Sequence, residues 1–448
     1  DFIISKSIWL IFLATCMGLI RLFSRQIVFG IGRKVEVNIR QKLFEHLLIQ
    51  DPDWVQKKGS GDIISRATSD IENIRRLLGF TVLSLCNIVL AYSLTIPSMF
   101  LINKPLTISG LMIFPLILGI VSLFGGRMVS QRKAQQESLS KLSDLIQEDL
   151  SGISAIKIYA QENAEKNEFN IYNKMYRNSA IKLARTASTL FPLLQGISSI
   201  SLLILLSLGT SQLENGFITI GGLVALILYV ERLVFPTALL GFTLNTFQLG
   251  QVSLDRVEEI FQNNPKIVDK TTTKYLRKKV KGFVEAKDLK IKYPGSKYNS
   301  LNGLNFKIYP GELIAIVGPV GCGKTTLAKS LGRTIEIPDG QLFLDDIDIK
   351  NIKLGDLRKN ISIVPQEAFL FTSTIFENLC FGEPKATKES VTKSATQAGL
   401  IEDINNFPKG FSTIVGERGI TLSGGQRQRT ALGRALLVDS SVIVLDDA

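Results

Sequence analysis

Residues 318–325 read Gly-Pro-Val-Gly-Cys-Gly-Lys-Thr, which fits the spacing G-x-x-x-x-G-K-[ST]. The chemistry of this pattern is anion binding. Glycines let successive backbone N–H groups close around phosphate oxygens, and a helix N-terminus adds partial positive charge. Lys324 is placed to reach the β- and γ-phosphates of a nucleotide, and the Thr325 hydroxyl to ligate Mg²⁺. Residues 442–447, Val-Ile-Val-Leu-Asp-Asp, place Asp446 at the end of an apolar run read as a buried strand. A carboxylate there can hold Mg²⁺ through water. Many strands end in Asp, so this run gains weight only from the phosphate loop upstream.

A second glycine-rich segment, Leu-Ser-Gly-Gly-Gln at 422–426, precedes Arg-Gln-Arg and an apolar helical run. Ser-Gly-Gly opening a helix is a second potential phosphate cradle. One ATP does not need two, so this cradle is expected to serve the nucleotide of another copy.

These residues need elements to hold them. From residue 283 onward, short β-branched runs alternate with helical ones: FVEAKDLKIKY, ELIAIVG, a helix from Lys324, QLFLDD, ISIVPQ and SVIVLDD. That alternation is the pattern of an α/β domain. The reading places a strand at Glu312–Val317, directly before the phosphate loop. Residues 262–282 form a polar, basic linker, and 1–261 form a different kind of domain.

The chain has 448 residues, 45% apolar and 21% charged, with a mean hydropathy of +0.21. Those figures fit together only if one part is strongly apolar. Residues 8–20, extended through Arg21 and Arg25, and segments 80–102, 106–125, 188–213 and 217–241 read as membrane spans. Pro97, Pro115, Pro192 and Pro236 fall inside them, as membrane helices tolerate. The connections 33–76 and 127–185 are rich in Lys and Arg, whereas 103–105 and 211–216 hold one Lys and no Arg between them. The long connections are therefore expected in the cytoplasm, continuing as helices beyond the membrane, with breaks at Asp51-Pro52, Lys58–Gly61 and Ser151-Gly152. The net charge of +12 finds its account there rather than in nucleic acid. Four scattered cysteines exclude a disulfide scaffold, and a single histidine with no CxxC pair argues against zinc. His46 reads as surface on a charged helix.

The phosphate loop, LSGGQ and VIVLDD, in this order and spacing, resemble the ATP-binding domain of ABC transporters. The resemblance covers nearly the whole chain and is most like one subunit of bacterial heterodimeric multidrug exporters. It implies an all-α polytopic membrane domain of the exporter type carrying helices 2–6 of six. An α/β P-loop ABC domain over 283–448 follows, cut short at its C-terminal end. Several residues take roles from it. Tyr293, in Ile-Lys-Tyr-Pro-Gly, matches the aromatic that stacks on adenine. Gly318, Gly321, Cys322 and Gly323 join Lys324, Thr325 and Thr326 around ATP. Ser423, Gly424, Gly425 and Gln426 complete the partner's site. Gln366, in Ile-Val-Pro-Gln, joins Thr325 and Asp446 at Mg²⁺ and, with Lys324 and Asp447, forms the catalytic group. Residues 62–70 and 151–159 resemble the first and second coupling regions, and Val-Gly-Glu-Arg-Gly at 415–419 resembles a segment that meets the intracellular loops.

One departure stands out. The family's catalytic base is Glu directly after the strand-end Asp, and here that position is Asp447. The expectation is ATP-driven export of a lipophilic or amphipathic small molecule by a dimer of half-transporters in a bacterial inner membrane, with the ATP-binding domain cytoplasmic. A heterodimer is favoured over a homodimer, which would have two slow sites. The rival readings are a catalytically silent subunit supporting an active partner, a lipid or peptide exporter of the same architecture, and a soluble nucleic-acid repair ATPase, which the spans oppose. Arg21 and Arg25 share a helix face, which either lines an aqueous cavity or snorkels to the interface. Cys322 is either a reactive thiol in the phosphate loop or a residue small enough to fit there.

Overall fold

The structure, a computed structural model, describes residues 2–270, 273, 275–276, 280–416 and 422–447, the side chains of Phe2, Ile3 and Phe191 aside. The chain divides into two compact units. One comprises residues 1–45 and 61–262, the other 46–60 and 263–448.

The first unit is helical. Its elements are α1 (Phe2–Leu48), whose last turn belongs to the other unit, α3 (Ser60–Ile102), α4 (Lys104–Ser151), α5 (Glu162–Glu214) and α6 (Ile220–Gln262), with the short α2 (Pro52–Lys58) between α1 and α3. All five long helices carry stretches long and apolar enough to cross a membrane. A single residue separates α3 from α4. Asn103 is extended, and its side chain accepts the Leu106 N–H at 3.1 Å, capping a helix that starts with Pro105 near its first turn. Gly152 ends α4, and a short helical turn, Ile153–Ile158, follows. Met99, Leu106, Ile117, Leu205, Leu226 and Leu233 form the centre of the packed core. Ser201 satisfies its hydroxyl on the Gly110 carbonyl at 2.9 Å. No residue in the apolar half of α1 is buried among the described residues, and Arg21 and Arg25 are both exposed.

The stretch 62–70 lies inside α3, where the backbone loosens into a π-helical segment at Arg66–Asp70. Its charged side chains are spent within this unit. Arg66, 5% exposed, pairs with Asp62 at 2.8 Å and Glu259 at 2.7 Å, and also donates to the Arg256 carbonyl. Arg256 pairs with Asp62 at 2.8 Å and Asp70 at 3.1 Å. A buried guanidinium costs several kcal/mol to desolvate, so Arg66 is tolerable only with these partners.

The second unit holds two sheets. β1 (Val284–Ile291), β2 (Leu301–Ile308), β3 (Leu342–Leu344) and β4 (Ile347–Asp348) form an antiparallel sheet in the order β2-β1-β3-β4. α7 (Lys324–Leu331) and α8 (Leu354–Asn360) contribute to the same core, around Leu289, Leu327, Leu342 and Leu357. β5 (Ile361–Val364) and β6 (Val442–Leu445) pair in parallel, Ile361 opposite Val442 and Val364 opposite Leu445. A further helical group consists of α9 (Ile375–Cys380), α10 (Lys388–Gln397), α11 (Ile401–Asn406) and α12 (Gly424–Leu437).

Two expectations about this unit are corrected. Residues 312–317 are not a strand: they carry no ladder, and Leu313 and Val317 are 99% and 88% exposed. Their composition suits a strand, but a strand exists only where a neighbour supplies the facing backbone groups, and composition does not specify that neighbour. β6 is not buried either. Ile443 and Leu445 face outward, so the alternating burial is that of a half-covered strand.

His46–Ser60 packs with this unit rather than with the helices flanking it in sequence. His46 is not idle surface. Its Nε2 lies 3.0 Å from the Asn263 carbonyl, which also accepts from Gln50 Nε2 at 2.8 Å, and Asn263 Nδ2 donates to Gln50 Oε1 at 2.6 Å. Asp51 accepts the Lys266 and Ile267 N–H groups. The described linker residues are anchored as well: Asp269 accepts from Leu354 N–H, and Asp345 accepts from the N–H groups of residues 281–283.

Candidate nucleotide site

The phosphate loop bends where glycine is required. Gly323 has φ of +101°, and a Cβ there would lie 2.6 Å from the Ser300 carbonyl oxygen at the start of β2. No side chain fits that conformation and that space together. The chain then enters α7, which buries Thr326, Leu327, Ala328, Ser330 and Leu331 and so fixes the helix behind the loop. Lys324 folds over the loop, its Nζ donating to the carbonyls of Gly318 at 2.7 Å and Pro319 at 3.1 Å. Cys322 is exposed, with its Sγ 3.9 Å from Lys324 Nζ.

β5 and β6 bring the remaining polar residues to this loop. The ladder extends one residue beyond β6, Asp446 N–H donating to Val364 O at 2.9 Å. This sets Asp446 beside α7, where the Thr325 hydroxyl donates to its Oδ1 at 3.1 Å. Asp447 follows with φ of +54°, a left-handed conformation that Asp and Asn adopt more readily than longer side chains. Gln366, just past β5, donates Nε2 to Asp447 Oδ2 at 2.8 Å, and Gln428 on α12 donates to the Asp447 carbonyl at 3.2 Å. Tyr293 is half-buried against the core of the antiparallel sheet, its hydroxyl 3.4 Å from Thr326 Oγ1.

Ser423 caps α12 in a reciprocal box: its Oγ accepts the Gln426 N–H at 3.2 Å, and Gln426 Oε1 accepts the Ser423 N–H at 2.9 Å. The other end of the Gln426 amide donates to Asp403 Oδ1 on α11 at 3.0 Å, and Arg429 donates to Asp403 Oδ2 at 2.6 Å. Hydrogen bonding from Gln426, with Arg429 beside it, outweighs burial and holds the Asp403 carboxyl below its usual range. Residues 417–419 of the segment Val415–Gly419 lie outside the described residues.

Sequence reading thus brought Lys324, Thr325, Gln366, Asp446 and Asp447 forward, and the fold draws these into one neighbourhood. It missed Asp403 and Gln428. The first has no motif around it; the second stands in the Arg-Gln-Arg after LSGGQ, and helical spacing from Gly424 would have placed it one turn on.

Five apolar helices joined to a phosphate-loop unit with a second glycine-rich helix start define a membrane transporter half coupled to a nucleotide hydrolase. Residues 2–237 match the ABC transporter transmembrane region, and residues 301–448 match the ABC transporter family. A multidrug resistance-like ATP-binding protein MdlA of Buchnera aphidicola is 33% identical, over 98% of this chain and 76% of its own length. The probable multidrug resistance ABC transporter ATP-binding/permease protein YheI of Bacillus subtilis is 30% identical, over 94% of this chain and 72% of its own. The ATP-dependent lipid A-core flippase of Aromatoleum aromaticum is 30% identical, over 92% and 68%. The solved structure of a bacterial Atm1-family ABC exporter with ATP bound shares the fold at a TM-score of 0.75 and 22% identity, covering 97% of this chain and 76% of that one. The chain belongs to the ABC transporter family, as an exporter half-transporter whose ATPase activity is coupled to transport.

Proposed function

We propose that this half-transporter exports a lipophilic or amphipathic compound, working as a heterodimer with an inner-membrane partner and with its ATP-binding domain in the cytoplasm. The observation that carries the nucleotide chemistry is the meeting of Thr325 and Asp446 at 3.1 Å across 121 residues of sequence. Hydroxyl, carboxylate and amide oxygens from Thr325, Asp446 and Gln366 suit a small hard cation, and a single carboxylate among them leaves room for phosphate oxygens and water. With Mg²⁺ held there, the metal would neutralise charge on the phosphates. Lys324 already points three N–H donors into the loop, and phosphate oxygens would take them from the Gly318 and Pro319 carbonyls. Tyr293 would flank the base, and the Ser423–Gln426 helix start would face the partner's nucleotide.

Asp447 shapes the cycle. Its carboxylate sits about one methylene nearer the backbone than a Glu would place it, so an attacking water lies roughly 1 Å from its best position, worth on the order of 10²-fold in rate. This chain's own site is then slow, while its Ser423 cradle completes a fast site in the partner. The names of the relatives, multidrug and lipid transporters alike, support a hydrophobic cargo class. The test is ATPase activity of the purified protein in bilayers, alone and with its genomic neighbour, across a panel of amphipathic compounds. Stimulation only of the pair supports the heterodimer. Brisk, compound-stimulated activity of this subunit alone refutes it.

A further inference from the structure

The helical unit contains a polar cavity that the transport chemistry does not use. It encloses about 320 Å³ and is lined by Arg33, Glu36 and Arg40 of α1 and by Thr68, Ser69, Glu72 and Arg75 of α3. Its charges are unbalanced. Glu36, 8% exposed, is shared by three guanidiniums: Arg33 at 3.0 Å, Arg40 at 2.8 Å and Arg75 at 3.4 Å. Glu72 in turn serves Arg75 at 3.3 Å and Arg76 at 2.7 Å. Four arginines therefore share two carboxylates, and Arg75 Nε, buried, completes no hydrogen bond of good geometry. The location is equally specific. Arg33 follows the apolar run of α1, and Arg75 and Arg76 precede the apolar run of α3. The two boundaries pack against each other at Gly32, where a Cβ would lie 3.4 Å from the Arg75 carbonyl oxygen. The cavity thus opens where the apolar runs of two spans give way to charged residues, the position expected of a headgroup layer.

We propose that this cavity is a binding site for a phosphate anion, of the chemistry found in anionic lipid headgroups and in free phosphate. Guanidinium forks match phosphate oxygens, and basic pockets between membrane helices at this depth take acidic headgroups. Thr68 and Ser69 complete the wall; the Thr68 hydroxyl already donates to the Ile64 carbonyl at 2.7 Å, so the Ser69 side chain is the hydroxyl suited to a remaining oxygen. Glu36 is the resident anion, and an incoming phosphate would take over part of its arginine shell.

That last point separates binding from mere structural pairing. The experiment measures phosphatidylglycerol retained by the full chain after extraction from nanodiscs, by native mass spectrometry. A parallel arm titrates inorganic phosphate onto lipid-free protein in detergent. Each arginine removed should cost roughly fivefold in affinity, so Arg33→Gln with Arg75→Gln should lose roughly 25-fold. Lys141→Gln with Lys182→Gln, the same charge change elsewhere on the unit, should lose little. Glu36→Gln should bind several-fold more tightly, because it frees guanidinium donors without removing any. Tightening in the lipid arm assigns a headgroup, and tightening in the phosphate arm assigns a free anion. If Glu36→Gln leaves both unchanged or weaker while the protein stays folded, or if the two double variants behave alike, the cluster is only a helix-pairing device and the proposal fails.

Discussion

Gln366 donates its side-chain amide to the carboxylate of Asp447, Nε2 to Oδ2, at 2.8 Å. A carboxylate only accepts, so this contact fixes which end of the amide faces Asp447 and leaves Gln366 Oε1 turned away, available to a cation or a water. The two residues lie at neighbouring strand ends, one past β5 and one past β6, and the parallel register of that pair sets their distance.

Asp447→Glu is expected to raise ATP turnover at this site by about 10²-fold, because the longer side chain brings the carboxylate to the attacking water. The gain is moderated by backbone strain, since Glu is less at ease than Asp at a φ of +54°. Single-turnover hydrolysis on the full chain with its partner measures it. A rate unmoved by Asp447→Glu would show that reach is not what limits this site.

Lys324→Ala should abolish transport and lower hydrolysis by at least about 10²-fold, with a smaller loss in ATP affinity, because the ammonium acts on the charge that develops on the transferred group. The fold should survive, as the Lys324 ammonium contacts its own loop, at the Gly318 and Pro319 carbonyls and Cys322 Sγ, and not the buried face of α7. Wild-type transport by the variant would remove this loop from the mechanism.

Gly323→Ala tests the loop's shape rather than its charge. The new methyl would meet the Ser300 carbonyl at 2.6 Å in a left-handed backbone. A loss of fluorescent-nucleotide binding is expected with little change in helix content by circular dichroism. Normal nucleotide binding would mean that the loop tolerates displacement from β2.

Much of this was legible in the chain. Gly-x-x-x-x-Gly-Lys-Thr and the apolar lengths are local patterns, and both the α7 start at Lys324 and the five long helices follow from them. What escaped depends on partners distant in sequence. Residues 312–317 have the composition of a strand, but their ladder depends on a neighbour that composition does not name. His46 looked like surface because its partner, the Asn263 carbonyl, stands 217 positions away. Asp403 carries no motif, and its meaning comes only from Gln426 and Arg429 on another helix.

Arg21 and Arg25 give a test of the transport path. Four residues apart on exposed α1, they share a face in a span where an unpartnered Arg costs at least about 2.5–3.5 kcal/mol. If that face lines the cargo cavity, cysteines at both positions should react with water-soluble thiol reagents in intact membranes, and reaction should slow anionic cargo first. Complete protection from every such reagent would assign the pair to snorkelling.

The start of α12 should show a dependence on acid. Asp403 holds Gln426 and Arg429, and its carboxyl is lowered in the folded chain, first by the Gln426 hydrogen bond. A group depressed on folding stabilises the fold above its unfolded pKa, near 3.9 for Asp, and loses that contribution as pH falls through the folded value. At neutral pH, Asp403→Asn should therefore cost about 1 kcal/mol, the scale of a charge-assisted hydrogen bond on a partly exposed group. The Ser423 cap should loosen with it, because a single amide oxygen would have to serve both Gln426 and Arg429, which now take one carboxylate oxygen each. Thermal unfolding of the protein in nanodiscs, followed from neutral pH down to about pH 3, measures the difference between the two forms. It should shrink as the wild-type carboxyl protonates. A difference that stays constant across that range would show that the charge of Asp403 contributes nothing, and that only its shape supports the helix start.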